Sequence, residues 1–179
     1  MTKTHPYMIN VPSQMNKRDF VACFGGVYEH SPWIAEKVWD CSLDPAMDSW
    51  EDTAEGLHLV FREVVDRGSN KDKLTLLCAH PDLAGKLAIA GELTKASTSE
   101  QASADLGNCT PEEFDAFQTL NAQYKEKFGF PFILAVRDYN RLEILGIFQE
   151  RVENDVETEF ATALEQVHRI AELRLIQIK

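Results

Sequence analysis

The sequence predicts an all-α fold, a single compact multi-helix domain over residues 1–179, and three observations predict it. Apolar residues recur at three-and-four spacing, residues that start and stop helices bracket those stretches, and the one apolar run without a helical face has no second strand to pair with. A chain of 179 residues, 44% of them hydrophobic, buries well over half of its unfolded surface and needs only one core. Residues 1–15 show no such pattern and are expected to form a less regular N-terminal arm.

Taken in chain order, Gly25-Gly26 breaks the chain, and Ser31-Pro32 reads as an N-cap with proline in the first turn of a short helix through Trp33 and Val38. Between Asp52 and Arg67, residues Leu57, Val60, Phe61, Val64 and Val65 line one helical face, and Gly68 stops it. Leu76-Leu77-Cys78-Ala79 ends a further apolar helix at His80, because Pro81 disfavours helical geometry at the residue before it. Thr110-Pro111-Glu112-Glu113 is a capping box with proline at the first helical position, followed by a stripe of Phe114, Phe117, Leu120, Tyr124 and Phe128 that ends at Gly129. Asn140 caps a helix carrying Leu142, Leu145, Phe148 and Val152, and the last helix runs from Val156 towards Ile176.

The run from Phe130 to Val136 is the exception. With helical patterns on both sides it reads as a buried extended segment near 130–136 or a distorted helix, whose main-chain groups need a partner such as a polar ligand, and so as a candidate pocket wall.

Composition excludes several function classes. A formal charge of −11 lacks the basic face that replaces counterions around phosphates, so no nucleic-acid partner is expected. No apolar run reaches the roughly 18–20 residues that span a bilayer, and Met1 to Asn10 lacks a secretory segment, so no membrane partner and a cytoplasmic location are expected. Cys23, Cys41, Cys78 and Cys109 form none of the short pairs of zinc sites, and His5, His30, His58, His80 and His168 show no ligand spacing. Reduced thiols and no metal follow as expectations.

Three features could carry chemistry, each with a structural alternative. His80, at a helix C-terminus, is favoured in its protonated form by the exposed carbonyls and suits a proton or hydrogen-bond donor; it could equally just cap those carbonyls. Ser97-Thr98-Ser99-Glu100 has the S-x-x-E spacing of a capping box, while the same geometry fixes a hydroxyl and a carboxylate at the positive end of a helix, where an anionic or ureide ligand binds. In the last helix the stripe Phe160, Leu164, Val167, Ala171 steps next onto Arg174, aiming a guanidinium at the core. It must meet a carboxylate of the protein or of a ligand, or snorkel from the helix end.

Taken together, Phe24-Gly25-Gly26-Val27-Tyr28-Glu29-His30-Ser31-Pro32-Trp33, His80-Pro81-Asp82-Leu83-Ala84-Gly85, Ser97-Thr98-Ser99-Glu100-Gln101, Leu120-Asn121, Phe128-Gly129-Phe130-Pro131-Phe132 and Ile170-Ala171-Glu172-Leu173-Arg174-Leu175 resemble the 2-oxo-4-hydroxy-4-carboxy-5-ureidoimidazoline (OHCU) decarboxylase family, in order and over nearly the whole chain. The resemblance implies an all-helical homodimer that needs no cofactor and converts its ureidoimidazoline substrate to (S)-allantoin and carbon dioxide. It implies His80 and Glu100 as catalytic residues, with Pro81, Ser97, Gln101, Arg174 and the backbone around Ile133 and Ala135 on the substrate. One departure stands out: the family commonly has Ala-Gly-Leu where this chain reads Ala104-Asp105-Leu106, which bears on the local helix end.

Two other classes fit the same residues. A hydrolase on a related ureide would keep the binding groups and add an activated water, releasing urea or ammonia. A non-catalytic helical binding module would bury His80 and Arg174 in protein-only contacts.

Overall fold

The structure is a computed structural model that describes residues 8–42, 52–85 and 93–178. Among these residues there are eight α-helices and no β-strand, as the periodicities require. They are α1 (Lys17–Phe24), α2 (Pro32–Ser42), α3 (Ala54–Asp66), α4 (Asn70–Cys78), α5 (Lys95–Ser103), α6 (Pro111–Phe128), α7 (Arg141–Arg151) and α8 (Val156–Gln177). Of the expected N-terminal arm, residues 1–7 lie outside the described residues, and Pro12–Gln14 forms a single 3-10 turn.

The helix starts follow the side chains that can satisfy free N–H groups. Asn16 caps α1 and Thr53 caps α3. Thr110 with Glu113, and Asn140 with Glu143, form complete capping boxes at α6 and α7. Gly129 ends α6 with a φ of 78°, a left-handed conformation that glycine adopts without a Cβ penalty.

The chain divides into two compact units. The first comprises residues 1–76 and 168–179, the second residues 77–167, and α8 contributes to both. In the first unit α2 packs on α1 and α3. Phe20 lies at its centre, with ring centroids 4.9 Å from Phe24, 5.4 Å from Trp39 and 6.2 Å from Phe61. Gly25 is needed at the end of α1, because a Cβ there would sit 2.5 Å from the Val21 carbonyl oxygen. Buried Tyr28 bonds His168 Nδ1 at 2.8 Å, and the imidazole's Nε2 is 3.2 Å from Asp66. His58 Nε2 meets the His168 carbonyl at 3.0 Å.

In the second unit α6 packs on α7, and the aromatic stripe of α6 is buried from Phe117 to Phe128, with Phe114 half-exposed. Phe132 stacks on Phe148 at 3.8 Å, and the Tyr124 ring meets Phe130, Phe132 and Phe148 edge-on. The stretch Pro131–Ala135 is neither helix nor strand and is buried up to Leu134, with Ala135 half-buried, and Val136–Asp138 closes it with a 3-10 turn inside the range expected to be extended.

Two helices are rotated from their apolar patterns. In α7 the buried line is Ile144, Phe148 and Arg151, while Leu142 is 63% exposed and Leu145 and Val152 are half-buried. In α8 the buried line near its start is Glu159, Ala163 and Val167 in place of Phe160 and Leu164. The two buried lines meet at Arg151 and Glu159, which form a buried ion pair at 2.5 Å.

Candidate functional site

In the second unit, α4 ends at Cys78 and His80 follows within a turn, its N–H bonded to the Leu77 carbonyl at 3.2 Å. His80 and Pro81 are half-buried; Leu83, Ala84 and Gly85 are buried. The position of His80 at a helix C-terminus is therefore as expected. What the pattern did not reveal is how the segment after it is held.

Side chains from two helices clamp this segment. Gln101 of α5 accepts from the Ala84 N–H at 3.2 Å and donates to the Asp82 carbonyl at 3.3 Å. From α6, Gln118 donates to the Ala84 carbonyl at 3.0 Å, Asn121 to the Leu83 carbonyl at 3.0 Å, and Lys125 pairs with Asp82 at 2.8 Å. Ala84 has a φ of 48°, which for a residue with a Cβ stores on the order of 1–2 kcal/mol and requires such over-determination. The clamp fixes the chain just beyond His80.

On α5, Ser97, Glu100 and Gln101 stand at i, i+3 and i+4 and share one face. Since Gln101 bonds the segment after His80, that face is the one turned to it. Ser97 and Gln101 are buried and Glu100 is half-buried. Here the structure corrects the sequence reading: Ser97 and Glu100 do not form a capping box. The helix starts earlier, Thr94 is its N-cap, and Thr94 Oγ1 accepts from the Ser97 N–H at 3.2 Å. Glu100 thus stands beyond the first turn, where no capping duty accounts for it.

Beyond α5, Asp105 adopts a φ of 57°. That is the left-handed conformation a glycine would take, and aspartate is among the few residues that visit it routinely. Arg141 pairs with Asp105 at 2.7 Å, and Asn108 donates to it. The departure from the family pattern is therefore accommodated locally.

The extended segment adjoins this region, because α5 packs against the Val136–Asp138 turn. Its main chain is bonded by side chains. The Ile133 carbonyl accepts from Arg151 Nη1 at 2.7 Å, and the Ala135 N–H donates to Gln166 Oε1 at 3.0 Å. Behind it, Glu159 accepts from Tyr124, from Asn154 at 2.8 Å and from Arg151 Nε at 3.0 Å. Burial first, and then the Glu159 carboxylate, push the Tyr124 hydroxyl well above its ordinary pKa, so it stays a donor.

His80, Pro81, Ser97, Glu100, Gln101, Ile133 and Ala135 all belong to the second unit, where Gln101 ties α5 to the segment after His80 and α5 packs on the turn that follows Ala135. Arg174 belongs to the first unit. Of the outcomes the stripe left open, it takes a protein carboxylate: it is buried, with Nη2 2.7 Å from Glu29 and Nη1 3.3 Å from the Gly26 carbonyl. Sequence reasoning missed Gln118, Lys125, Arg151, Glu159 and Gln166, and took Asn121 only as part of a motif. Among the described residues no three His, Cys, Asp or Glu side chains form a group that could hold a metal ion.

A sequence profile for the family described as OHCU decarboxylase matches residues 13–176. The 2-oxo-4-hydroxy-4-carboxy-5-ureidoimidazoline decarboxylase of Haloferax volcanii is 39% identical over 97% of this chain and 96% of its own length. The protein of the same name from Halalkalicoccus jeotgali is 39% identical over 93% of this chain and 88% of its own. Among solved structures, a crystal structure of (S)-allantoin synthase superposes with a TM-score of 0.75 at 32% identity. That match covers 96% of this chain and 53% of the other, so the chain spans about half of that protein's length.

Proposed function

We infer that this chain, which belongs to the OHCU decarboxylase family, is a carboxy-lyase that removes carbon dioxide from 2-oxo-4-hydroxy-4-carboxy-5-ureidoimidazoline in urate degradation. The observation that carries the site assignment is the pair of Gln101 hydrogen bonds, which ties the helix face bearing Ser97 and Glu100 to the segment that follows His80.

The chemistry suits these residue types. The carbon that loses carbon dioxide also bears a hydroxyl, and its neighbour is doubly bonded to a ring nitrogen. When the carboxylate leaves, its bonding pair forms a carbon–carbon double bond and the old double-bond pair moves to that nitrogen, which takes up a proton. The hydroxyl then becomes a carbonyl as its proton departs, and a proton added to one face of the neighbouring carbon sets the (S) configuration. The protein must align the breaking bond with the acceptor π-system and move protons. Such positioning contributes several kcal/mol, on the order of 7–11 at its upper range.

In this reading His80 hydrogen-bonds the hydroxyl and shuttles its proton. Glu100 accepts from the ureido or ring N–H groups and disfavours the departing carboxylate, while Ser97 positions the ligand. Pro81 and Gln101 shape the same side, and the peptide groups of 133–135 form the opposing wall. The proposal draws on the second unit alone.

We extend the reading to a homodimer in the cytoplasm and to a chain that folds as one domain. Cys23, Cys41, Cys78 and Cys109 are free thiols, which fits a reducing compartment. Sedimentation and a single cooperative unfolding transition test the assembly and the domain.

The deciding experiment feeds the protein freshly generated substrate and subtracts spontaneous decay. The expected result is enzyme-dependent carbon dioxide release with excess (S)-allantoin and neither urea nor ammonia. Urea or ammonia would point to the hydrolase, and no excess rate to a binding module.

A further inference from the structure

Arg151 is a buried cation whose role the reaction scheme leaves open. Its guanidinium is surrounded by Glu159, fully buried, and by the Phe132 ring, 4.6 Å from its centre. A buried ion pair is a weak source of stability, since taking both charges out of water offsets most of their attraction and a well-packed apolar pair often does as well. What an apolar pair cannot do is grip a carbonyl, and Arg151 grips one. Its Nη1 donates to Ile133 O at 2.7 Å while Nε and Nη2 hold Glu159 at 3.0 and 2.5 Å. The planar fork of arginine makes these bonds simultaneously and in fixed directions.

The geometry of a trans peptide gives that bond a consequence on the far side. Ile133 C=O and Leu134 N–H belong to one planar unit and point in opposite directions. A cation on the oxygen therefore draws electron density from the nitrogen and strengthens the N–H that faces away from it. The next unit is treated in the mirror sense: Gln166 accepts from Ala135 N–H, so Leu134 C=O also points away from the side chain behind it. Leu134 is buried, yet its N–H and C=O make no hydrogen bond to any described residue. The two side chains thus hold a donor and an acceptor of one residue turned away from Arg151 and Gln166, in a segment whose following turn packs against α5.

We propose that Arg151, set by Glu159, is a positioning residue for the decarboxylation: it fixes and polarises the Ile133–Leu134 peptide so that Leu134 N–H presents a strengthened donor to a substrate oxygen. This rests on the reading that residues 133–135 form the wall of the decarboxylase site. Such a donor gains most in the transition state if that oxygen becomes more negative as the carboxylate pair is released into the ring.

The test is the double variant Arg151→Met with Glu159→Gln. It removes the cation without leaving a lone buried charge, and glutamine keeps partners for Tyr124 and Asn154. The wild-type rate above spontaneous decay tests the functional reading by itself; the ratio of variant to wild type tests the role of Arg151. Expected is a helical, cooperatively folding variant whose kcat falls about 10-fold or more while KM changes less than about 3-fold, because the bond acts on developing charge. The pH profile keeps its position, since His80 is untouched. A kcat within about 2-fold of wild type in the folded variant would overturn the proposal. If the double variant does not fold, Arg151→Lys decides: lysine keeps the charge but lacks the fork, so kcat should fall about 3- to 30-fold in a folded protein, and full kcat overturns the claim.

Discussion

Each unit buries one arginine against one glutamate, and the two pairs do different things with similar parts. In the first unit Arg174 pairs with Glu29 at 2.7 Å and reaches the Gly26 carbonyl, in the segment that links α1 to α2. In the second, Arg151 pairs with Glu159 at 2.5 Å and reaches the Ile133 carbonyl, in the wall of the candidate site. Glu159 also accepts from Tyr124 and Asn154, and His30 Nε2 lies 3.8 Å from Glu29. The comparison teaches that a buried charge is informative by where its spare hydrogen bonds end. Neighbouring polar groups repeat the contrast: Tyr28, His168 and Asp66 bond one another inside the first unit, whereas Gln101, Gln118 and Asn121 end on the main chain beside His80.

The largest expected effects are on rate and confined to the second unit. His80→Asn, which cannot titrate, should lower enzyme-dependent decarboxylation by about 100-fold or more with an unchanged melting temperature. Glu100→Gln should lower it by about 100-fold with a stability change of at most about 1 kcal/mol, since no capping box depends on its carboxylate. Ser99→Ala, exposed on the same helix and outside the proposed site, serves as the control on α5. Paired measurements of melting temperature and allantoin formation check all three, and near-normal turnover in either His80→Asn or Glu100→Gln would return that residue to a structural role.

Next in size are effects on stability at the two ion pairs. Glu159→Leu leaves Arg151 buried without its carboxylate and removes an acceptor from Tyr124 and Asn154, and Glu29→Leu leaves Arg174 buried without its carboxylate, so each should destabilise by about 3–5 kcal/mol. Urea unfolding of both variants reads the losses directly. A loss under about 1 kcal/mol in either variant would mean that its arginine regains water when the carboxylate is removed.

The smallest effect is a pH dependence belonging to the first unit. Burial lowers the pKa of His58 below its ordinary 6.5, with Glu172 opposing more weakly. The unfolded chain therefore takes up this proton first as the pH falls. Stability from His58 is present above pH 6.5 and is lost as pH drops through the lower folded value. His58→Gln should flatten part of the decline in melting temperature between about pH 7 and 5, a window set by the ordinary histidine value. An unchanged slope would assign the decline to other groups.

Much of this was legible in the sequence. The caps at Thr110 and Asn140 and the stop at Gly129 could be placed because each rests on the chemistry of one residue. Arg174 was found because the apolar stripe of α8 stepped onto it. The same arithmetic hides Arg151, since Leu142, Leu145 and Val152 supply a plausible apolar face on the other side of α7, and only Glu159 shows which face turns inward. The start of α5 was misplaced because Thr94 and Ser97 are both good caps and spacing alone does not choose between them. The clamp on residues 82–84 left no periodic signal at all: it joins side chains to main-chain groups 17 to 38 residues away.

Helices and sheets tolerate substitution because their hydrogen bonds run between main-chain atoms that every residue supplies. The extended stretch before Val136 has given up that insurance. Two of its peptide groups are held by residues 18 and 31 positions away in sequence, so a change at Arg151 or Gln166 deletes a main-chain hydrogen bond that no local residue can restore. The backbone there is in effect written by distant codons. A lineage drifting at those two positions would retune the shape of the wall without altering a single residue within it.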